Sequence, residues 1–171
     1  MAFEAWSPDV DESSRSGEKP RDTAMRLARA KAEAAATRFP GALIIGSDQV
    51  ADASGQPVNK PGTLDNARKQ LRELSGEAVS FHTALCLLNA DRARRHERLV
   101  TTDVVFRALT DAEIERYLAR EPAFDCAGSA KSEGLGITLL SRLGGDDPTA
   151  LVGLPLIALA AMLRAEGVEI P

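Results

Sequence analysis

Apolar and polar positions fall into short blocks along this chain, and one of the shortest is the most informative. Leu43-Ile44-Ile45 is followed by the small pair Gly46-Ser47, and then by Asp48-Gln49 before Val50. A buried strand that delivers Asp48 to its end explains that order, because rigid backbone there holds a polar side chain at the edge of an apolar wall. Asp48 is therefore the first candidate for a reactive centre, set against the plainer reading of Ser47-Asp48 as turn chemistry.

Upstream, Ser7 to Ser14 has loop composition with carboxylates at Asp9, Asp11 and Glu12. Pro20 sits where a helix can start, and Arg21 to Arg38 favours helix, with Met25, Ala28, Ala32, Ala35 and Ala36 forming a narrow small-residue face. Lys31 lies near that face, where one more solvated lysine is the competing reading. Phe39-Pro40-Gly41 ends the helix.

Downstream, Ser54-Gly55 signals a hairpin that returns toward Val58-Asn59-Lys60-Pro61 and places Lys60 beside the Asp48 strand end. Thr63 caps a helix through Leu74, with Leu64, Ala67, Leu71 and Leu74 on its inner face. Val79 to Asn89 and Leu99 to Leu109 read as an antiparallel arm with a charged tip from Ala90 to Arg98. Thr110-Asp111-Ala112-Glu113 is a capping box, opening a helix to Arg120 that turns Ile114, Tyr117 and Leu118 inward before Glu121-Pro122 stops it.

Cys126 to Gly136 is a second informative stretch, rich in small residues, with Lys131 and Glu133 its only charges. Its glycines let backbone approach a ligand closely. Ile137 to Leu140 reads as a short strand, Gly144 to Gly153 as a loop, and Leu156 to Arg164 as a closing helix, apolar almost all round and so expected to be well buried.

Composition narrows the function. With 171 residues, 44% hydrophobic and 27% charged, the chain is expected to form one domain, 1–171, with a real core. A net charge of −4 gives no general attraction to a nucleic acid polymer or an anionic membrane, so an anionic ligand must be small and held by a few placed cations. No apolar run reaches membrane-spanning length and the polar N-terminus is no signal peptide, while Cys86 and Cys126 suit reduced thiols. The expected location is cytoplasmic. His82 and His96 have no second ligand at metal spacing and are read as structural or solvated.

What remains is a set of placed charges: carboxylates at Glu12 and Asp48, cations at Lys31, Lys60 and Lys131, and a Gln49/Glu133 pair able to read a base edge. Two carboxylates can hold Mg²⁺ while lysines neutralise phosphate oxygens, although a charged protein always offers such sets by chance.

Seven segments in order turn that set into a resemblance: Val10-Asp11-Glu12, Leu27 to Ala32, Ile44 to Val50, Asn59-Lys60-Pro61, Cys126 to Ser129, Lys131 to Ile137 and Leu151 to Pro155. Together they resemble the Maf family of nucleoside triphosphate pyrophosphatases over nearly the whole chain, and Ser47-Asp48-Gln49 with Lys131-Ser132-Glu133-Gly134 resemble its 7-methyl-GTP branch. The resemblance implies an α/β fold of the Maf/inosine-triphosphatase type, with a mixed sheet flanked by helices, two lobes around a cleft, and a homodimer. It also implies hydrolysis between the α- and β-phosphates, giving a nucleoside monophosphate and pyrophosphate, assisted by Mg²⁺ or Mn²⁺.

By position, Asp48 is then the proton acceptor for water, Glu12 helps Asp48 place the metal, and Lys31 and Lys60 hold phosphates. Gln49 and Glu133 set base preference, and Lys131 adds charge compensation. A carboxylate at position 133 can accept two hydrogen bonds from guanine and favours a ring made cationic by N7 methylation. The family's opening strand, Ser-x-Ser-x-Arg-Arg loop and following helix have no counterpart in Met1 to Phe3, and Trp6 is expected to pack structurally instead of standing in for the tryptophan near the base. A catalytically impaired nucleotide-binding protein of the same fold is therefore the alternative expectation.

Overall fold

The computed structural model describes residues 2–171. Helix α1 (Pro20–Arg38) leads into the hairpin of β1 (Leu43–Ala53) and β2 (Gln56–Val58), then α2 (Leu64–Leu74). The long arm of β3 (Ala78–Asn89) and β4 (Arg94–Phe106) follows, then α3 (Asp111–Arg120), β5 (Leu140–Gly145) and α4 (Leu156–Ala165). Short 3-10 turns occupy Ala127–Ser129, Leu135–Leu139 and Ala150–Val152.

The five strands form one sheet in the order β2-β1-β3-β4-β5. Every pairing is antiparallel, so the sheet is not the mixed one expected. Two of the four pairings, β1–β2 and β3–β4, are hairpins, and antiparallel neighbours are what tight turns join. Helices cover both faces and give the α/β architecture.

On one face α1 lies across β1 and β3, and Ala24, Ala28 and Ala32 bury themselves against Ile44, Ala84 and Cys86. On the other face α2 and α3 close the main core around Leu71, Phe81, Val104, Phe106 and Ile114, and α4 packs on Leu85 and Leu87. Alternating side chains decide the division, since even-numbered residues of β1 face α1 and odd-numbered ones face away.

Local signals place most elements where the sequence puts them. Thr63 caps α2 by accepting from the Asn66 N–H, and Thr110 and Glu113 close a reciprocal capping box on α3. Ser54 and Gly55 both take positive φ, at 54° and 85°, as a tight hairpin turn requires. Trp6 packs edge-on to Phe39 at 6.0 Å with Arg38 over its ring.

Four expectations need correction. The charged tip is shorter than Ala90 to Arg98, because β4 already begins at Arg94 and pairs with Asn89. Ile137 belongs to a 3-10 turn and is exposed, and the last strand starts at Leu140. Leu64 is exposed at the first position of α2, so only Ala67, Leu71 and Leu74 of the proposed face are buried. Helix α4 is not buried all round, since Leu156 and Ile157 at its first turn are exposed.

Candidate active site

The site begins with a close approach. Position 46 is glycine because a Cβ there would overlap the Ala28 carbonyl oxygen and lie 2.7 Å from the Ala32 N atom. Helix α1 therefore rests directly on β1, and Lys31 reaches over Asp48, two residues further along the same strand face. The Lys31 ammonium stands 2.6 Å from Asp48 Oδ1 and 2.6 Å from Glu12 Oε1. Lys31 is thus the centre of the cluster and not one more solvated lysine.

Glu12 comes from a loop, and a loop needs an anchor to present a side chain. Arg26 on α1 supplies it: its guanidinium donates to Glu18 at 2.7 and 2.8 Å and to the Ser13 carbonyl at 2.9 Å. Asp11 adds a turn by accepting from both the N–H and the hydroxyl of Ser13. Nothing local marks Arg26 in the sequence, because its partners lie 8 and 13 residues upstream.

Asp48 is not at a strand end. It pairs with Ala84 in mid-strand, because β1 continues to Ala53 along β3 and β2. The polar group is tolerated there because Lys31 compensates it, leaving the Asp48 side chain 10% exposed against 54% for Glu12. These environments drive the two carboxyl groups apart. Burial pushes Asp48 above the ordinary aspartate value, outweighing Lys31, whereas the hydrogen bond from Lys31 holds Glu12 below its own. Burial alone would lower Lys31, but its bonds to Asp48 and Glu12 win and keep it charged.

Lys60 is exposed just after β2, and its charge favours the ionised forms of Glu12, Asp48 and Asp125. Its strand is tied to the second informative stretch. The Asn59 carbonyl accepts from Gln70 Nε2 at 2.8 Å, and Gln70 Oε1 accepts from the Ser129 hydroxyl at 2.6 Å. Lys131 pairs with Asp125 at 2.8 Å, and among the described residues it makes no ion pair with Asp48 or Glu12.

Gln49 points to the opposite face from Asp48. Its Nε2 lies 2.9 Å from Thr83 Oγ1, 3.0 Å from the Ala150 carbonyl and 3.1 Å from the Leu151 carbonyl. Acceptors on all sides fix the amide nitrogen inward, so the only face it can offer a ligand is the acceptor Oε1. Ser47, on the same face, sits 2.8 Å from both the Ala84 and Gly153 carbonyls. Thr83 is the partner that sequence reading did not single out.

Glu133 is exposed in the turn after Lys131, and among the described residues no hydrogen bond joins it to Gln49. The two segments are nevertheless neighbours: a cavity of about 10 Å³ is lined by Leu151, which holds Gln49, and by Ser132, which precedes Glu133. A larger cavity of about 400 Å³ lies between the β1–β2 hairpin and α2, lined by Ser54, Asn59 and Glu73, and includes none of Glu12, Lys31 or Asp48.

Among the described residues no group of three or more His, Cys, Asp or Glu side chains could hold a metal ion. Glu12 and Asp48, converging on a single ammonium, still form a pair of hard oxygen donors. Mg²⁺ characteristically takes one or two carboxylates and completes its shell with water and phosphate, so the donor set fits such an ion. His82 bonds Thr101 and Asp52, and His96 bonds Glu166, both outside this cluster. Among the described residues no helix is long and apolar enough to cross a membrane.

Known proteins match this chain along its length. A family profile described as Maf-like protein matches residues 1–166. A "7-methyl-GTP pyrophosphatase" of Aromatoleum aromaticum (strain DSM 19018 / LMG 30748 / EbN1) is 56% identical over 171 residues, 100% of this chain and 88% of that protein. A protein of the same name from Xanthomonas oryzae pv. oryzae (strain MAFF 311018) is 55% identical over 100% of this chain and 89% of its own length. Another, from Cupriavidus pinatubonensis (strain JMP 134 / LMG 1197), is 55% identical over 98% of this chain and 84% of its own. The profile covers residues 1–166 and these relatives are matched over nearly all of the chain, so the chain belongs to the Maf family.

Proposed function

We propose that this chain is a pyrophosphatase that hydrolyses 7-methyl-GTP to 7-methyl-GMP and pyrophosphate. The observation that carries the reading is the meeting of Glu12, Lys31 and Asp48 around one ammonium nitrogen, with relatives of that activity by name across the whole chain. Asp48 is the proton acceptor. Its burial raises its basicity above that of an exposed aspartate, which suits a group that must take a proton from water near neutral pH.

An ammonium has three hydrogens. Lys31 gives two of them to Glu12 and Asp48, and the third is free to bond a phosphate oxygen. Lys60, exposed on the same rim, adds a second cation for the phosphates, and Lys131 compensates charge further along it. Glu12 and Asp48 would hold a divalent cation, Mg²⁺ or Mn²⁺, which would supply Lewis-acid activation of water and neutralise the triphosphate.

Because residues 48 and 49 point to opposite faces of β1, a bound nucleotide crosses the strand's outer edge. Only Ala51 to Ala53 pair with β2, so among the described residues no strand covers the outer side of Leu43 to Val50. Phosphates then lie toward α1 and the base toward Gln49 and Glu133. Two acceptors there, the Gln49 carbonyl and the Glu133 carboxylate, favour the N1–H and 2-amino donors of guanine, and the carboxylate favours the cationic N7-methylated ring. The cytoplasmic location belongs to this reading through the two free cysteines, and the homodimer through the family resemblance.

The test is pyrophosphate release with Mg²⁺ or Mn²⁺ from 7-methyl-GTP, GTP, dTTP and UTP. The highest kcat/KM is expected for 7-methyl-GTP. Equal or faster turnover of dTTP overturns the substrate assignment, and nucleotide binding without product under either metal overturns the enzymatic one.

A further inference from the structure

The loop that carries Glu133 is held from behind by one side chain outside the cluster already described. Glu121 stands at the C-terminal end of α3, and its Oε2 accepts the Gly136 N–H at 3.0 Å. Gly134 packs so tightly on the same carboxylate that a Cβ at that position would overlap Glu121 Oε1. One helical turn earlier, the buried Tyr117 accepts the Lys131 N–H on its hydroxyl at 3.3 Å.

The loop is thus grasped at both ends. Lys131 and Gly136 are tethered to α3, the Gly134 N–H closes a turn onto the Lys131 carbonyl at 3.1 Å, and Glu133 projects from the apex into solvent. At Gly136 a side chain would overlap the Lys131 backbone, so glycine there lets this turn close, whereas Gly134 makes room for the Glu121 carboxylate. A carboxylate receiving a backbone N–H is a stronger anchor than a neutral acceptor, and it sits on a helix, which locates it well.

We propose that Glu121 is a positioning residue for base selection: through the Lys131–Gly136 turn it fixes where the Glu133 carboxylate meets the nucleobase. The proposal rests on the reading of Glu133 as a base-contacting group. Glu121 bonds the Gly136 N–H and makes no ion pair with Glu12, Lys31 or Asp48, so its loss is felt in the binding of the preferred base and not in the chemical step.

The experiment compares Glu121→Ala and Tyr117→Phe with Glu133→Gln, measuring kcat and KM for 7-methyl-GTP and UTP. Hydrogen exchange of residues 131–136 is followed in the same proteins. Glu121→Ala is expected to raise KM for 7-methyl-GTP about tenfold, with kcat changed less than about twofold and KM for UTP little affected. Exchange in the turn should accelerate while α1 and β1 stay protected. Tyr117→Phe, which keeps the ring and removes one tether, is expected to do the same by about threefold and stands in if Glu121→Ala does not fold.

If Glu133→Gln abolishes discrimination between the two nucleotides while Glu121→Ala and Tyr117→Phe leave it intact, the positioning role is overturned. If Glu133→Gln itself leaves discrimination intact, the base-contacting role of Glu133 is overturned, and the proposal with it.

Discussion

Gly46 lies directly beneath Ala28, so close that a side-chain carbon on the strand would overlap the carbonyl oxygen on the helix. Backbone meets backbone there, and neither partner can rotate away. Gly46→Ala is therefore predicted to push α1 outward, at a cost of about 1–3 kcal/mol in unfolding free energy. Because Lys31 rides on that helix, kcat/KM should fall by more than the loss of stability explains. Chemical denaturation and steady-state kinetics on the same variant check this, and wild-type values in both would contradict it.

The proton-acceptor role makes a signed prediction about pH. Asp48 works only when ionised, and burial raises its pKa, so the acid limb of kcat/KM should lie above the ordinary value of 3.8. Lys31 opposes that rise. Lys31→Met should therefore shift the acid limb of the residual activity to higher pH, as well as weaken substrate binding. A limb that stays in place or moves down would show that the titrating group is not Asp48.

Far from the cluster, Glu166 gathers the end of the β3–β4 arm. Its buried carboxylate accepts from His96 at 2.8 Å, Asn89 at 2.7 Å and Arg94 at 2.9 Å, and these bonds hold its pKa at about 2. A depressed carboxyl pKa stabilises the fold above the unfolded value of 4.5, and that contribution disappears as pH falls toward 2. Glu166→Gln should lower Tm at pH 7, and the gap from wild type should narrow between pH 4.5 and 2. Glu18 and Glu113 titrate in the same window, so the difference between the two proteins is the quantity to read. A constant gap across that window would contradict it.

What the sequence discloses follows the range of the interactions. The Thr63 cap, the Thr110–Glu113 box and the Ser54-Gly55 turn are decided within a few residues, and each stands where its pattern puts it. The candidate site is harder. Asp48, Lys31 and Glu12 are recognisable as charges, but only the packing of α1 on Gly46 and the Arg26 clamp on the Ser13–Glu18 loop bring them onto one nitrogen. Gln49 shows the limit most clearly, since the carbonyls that orient its amide come from residues 101 and 102 positions away. The last strand was displaced for a similar reason. Ile137 reads as strand by its apolar neighbours, whereas tethers to Glu121 and Tyr117 wind the chain from Lys131 onward into turns.

Asp48→Asn separates folding from chemistry. The amide keeps the shape of the side chain and an oxygen that can accept from Lys31, so the variant should remain folded. Turnover should respond quite differently. With 7-methyl-GTP and Mg²⁺, the wild-type chain is predicted to release pyrophosphate and 7-methyl-GMP in equal amounts, and Asp48→Asn to lose at least about a hundredfold in kcat while remaining folded. Pyrophosphate release by folded Asp48→Asn at the wild-type rate would contradict the assignment of this cluster as the place where the triphosphate is cut.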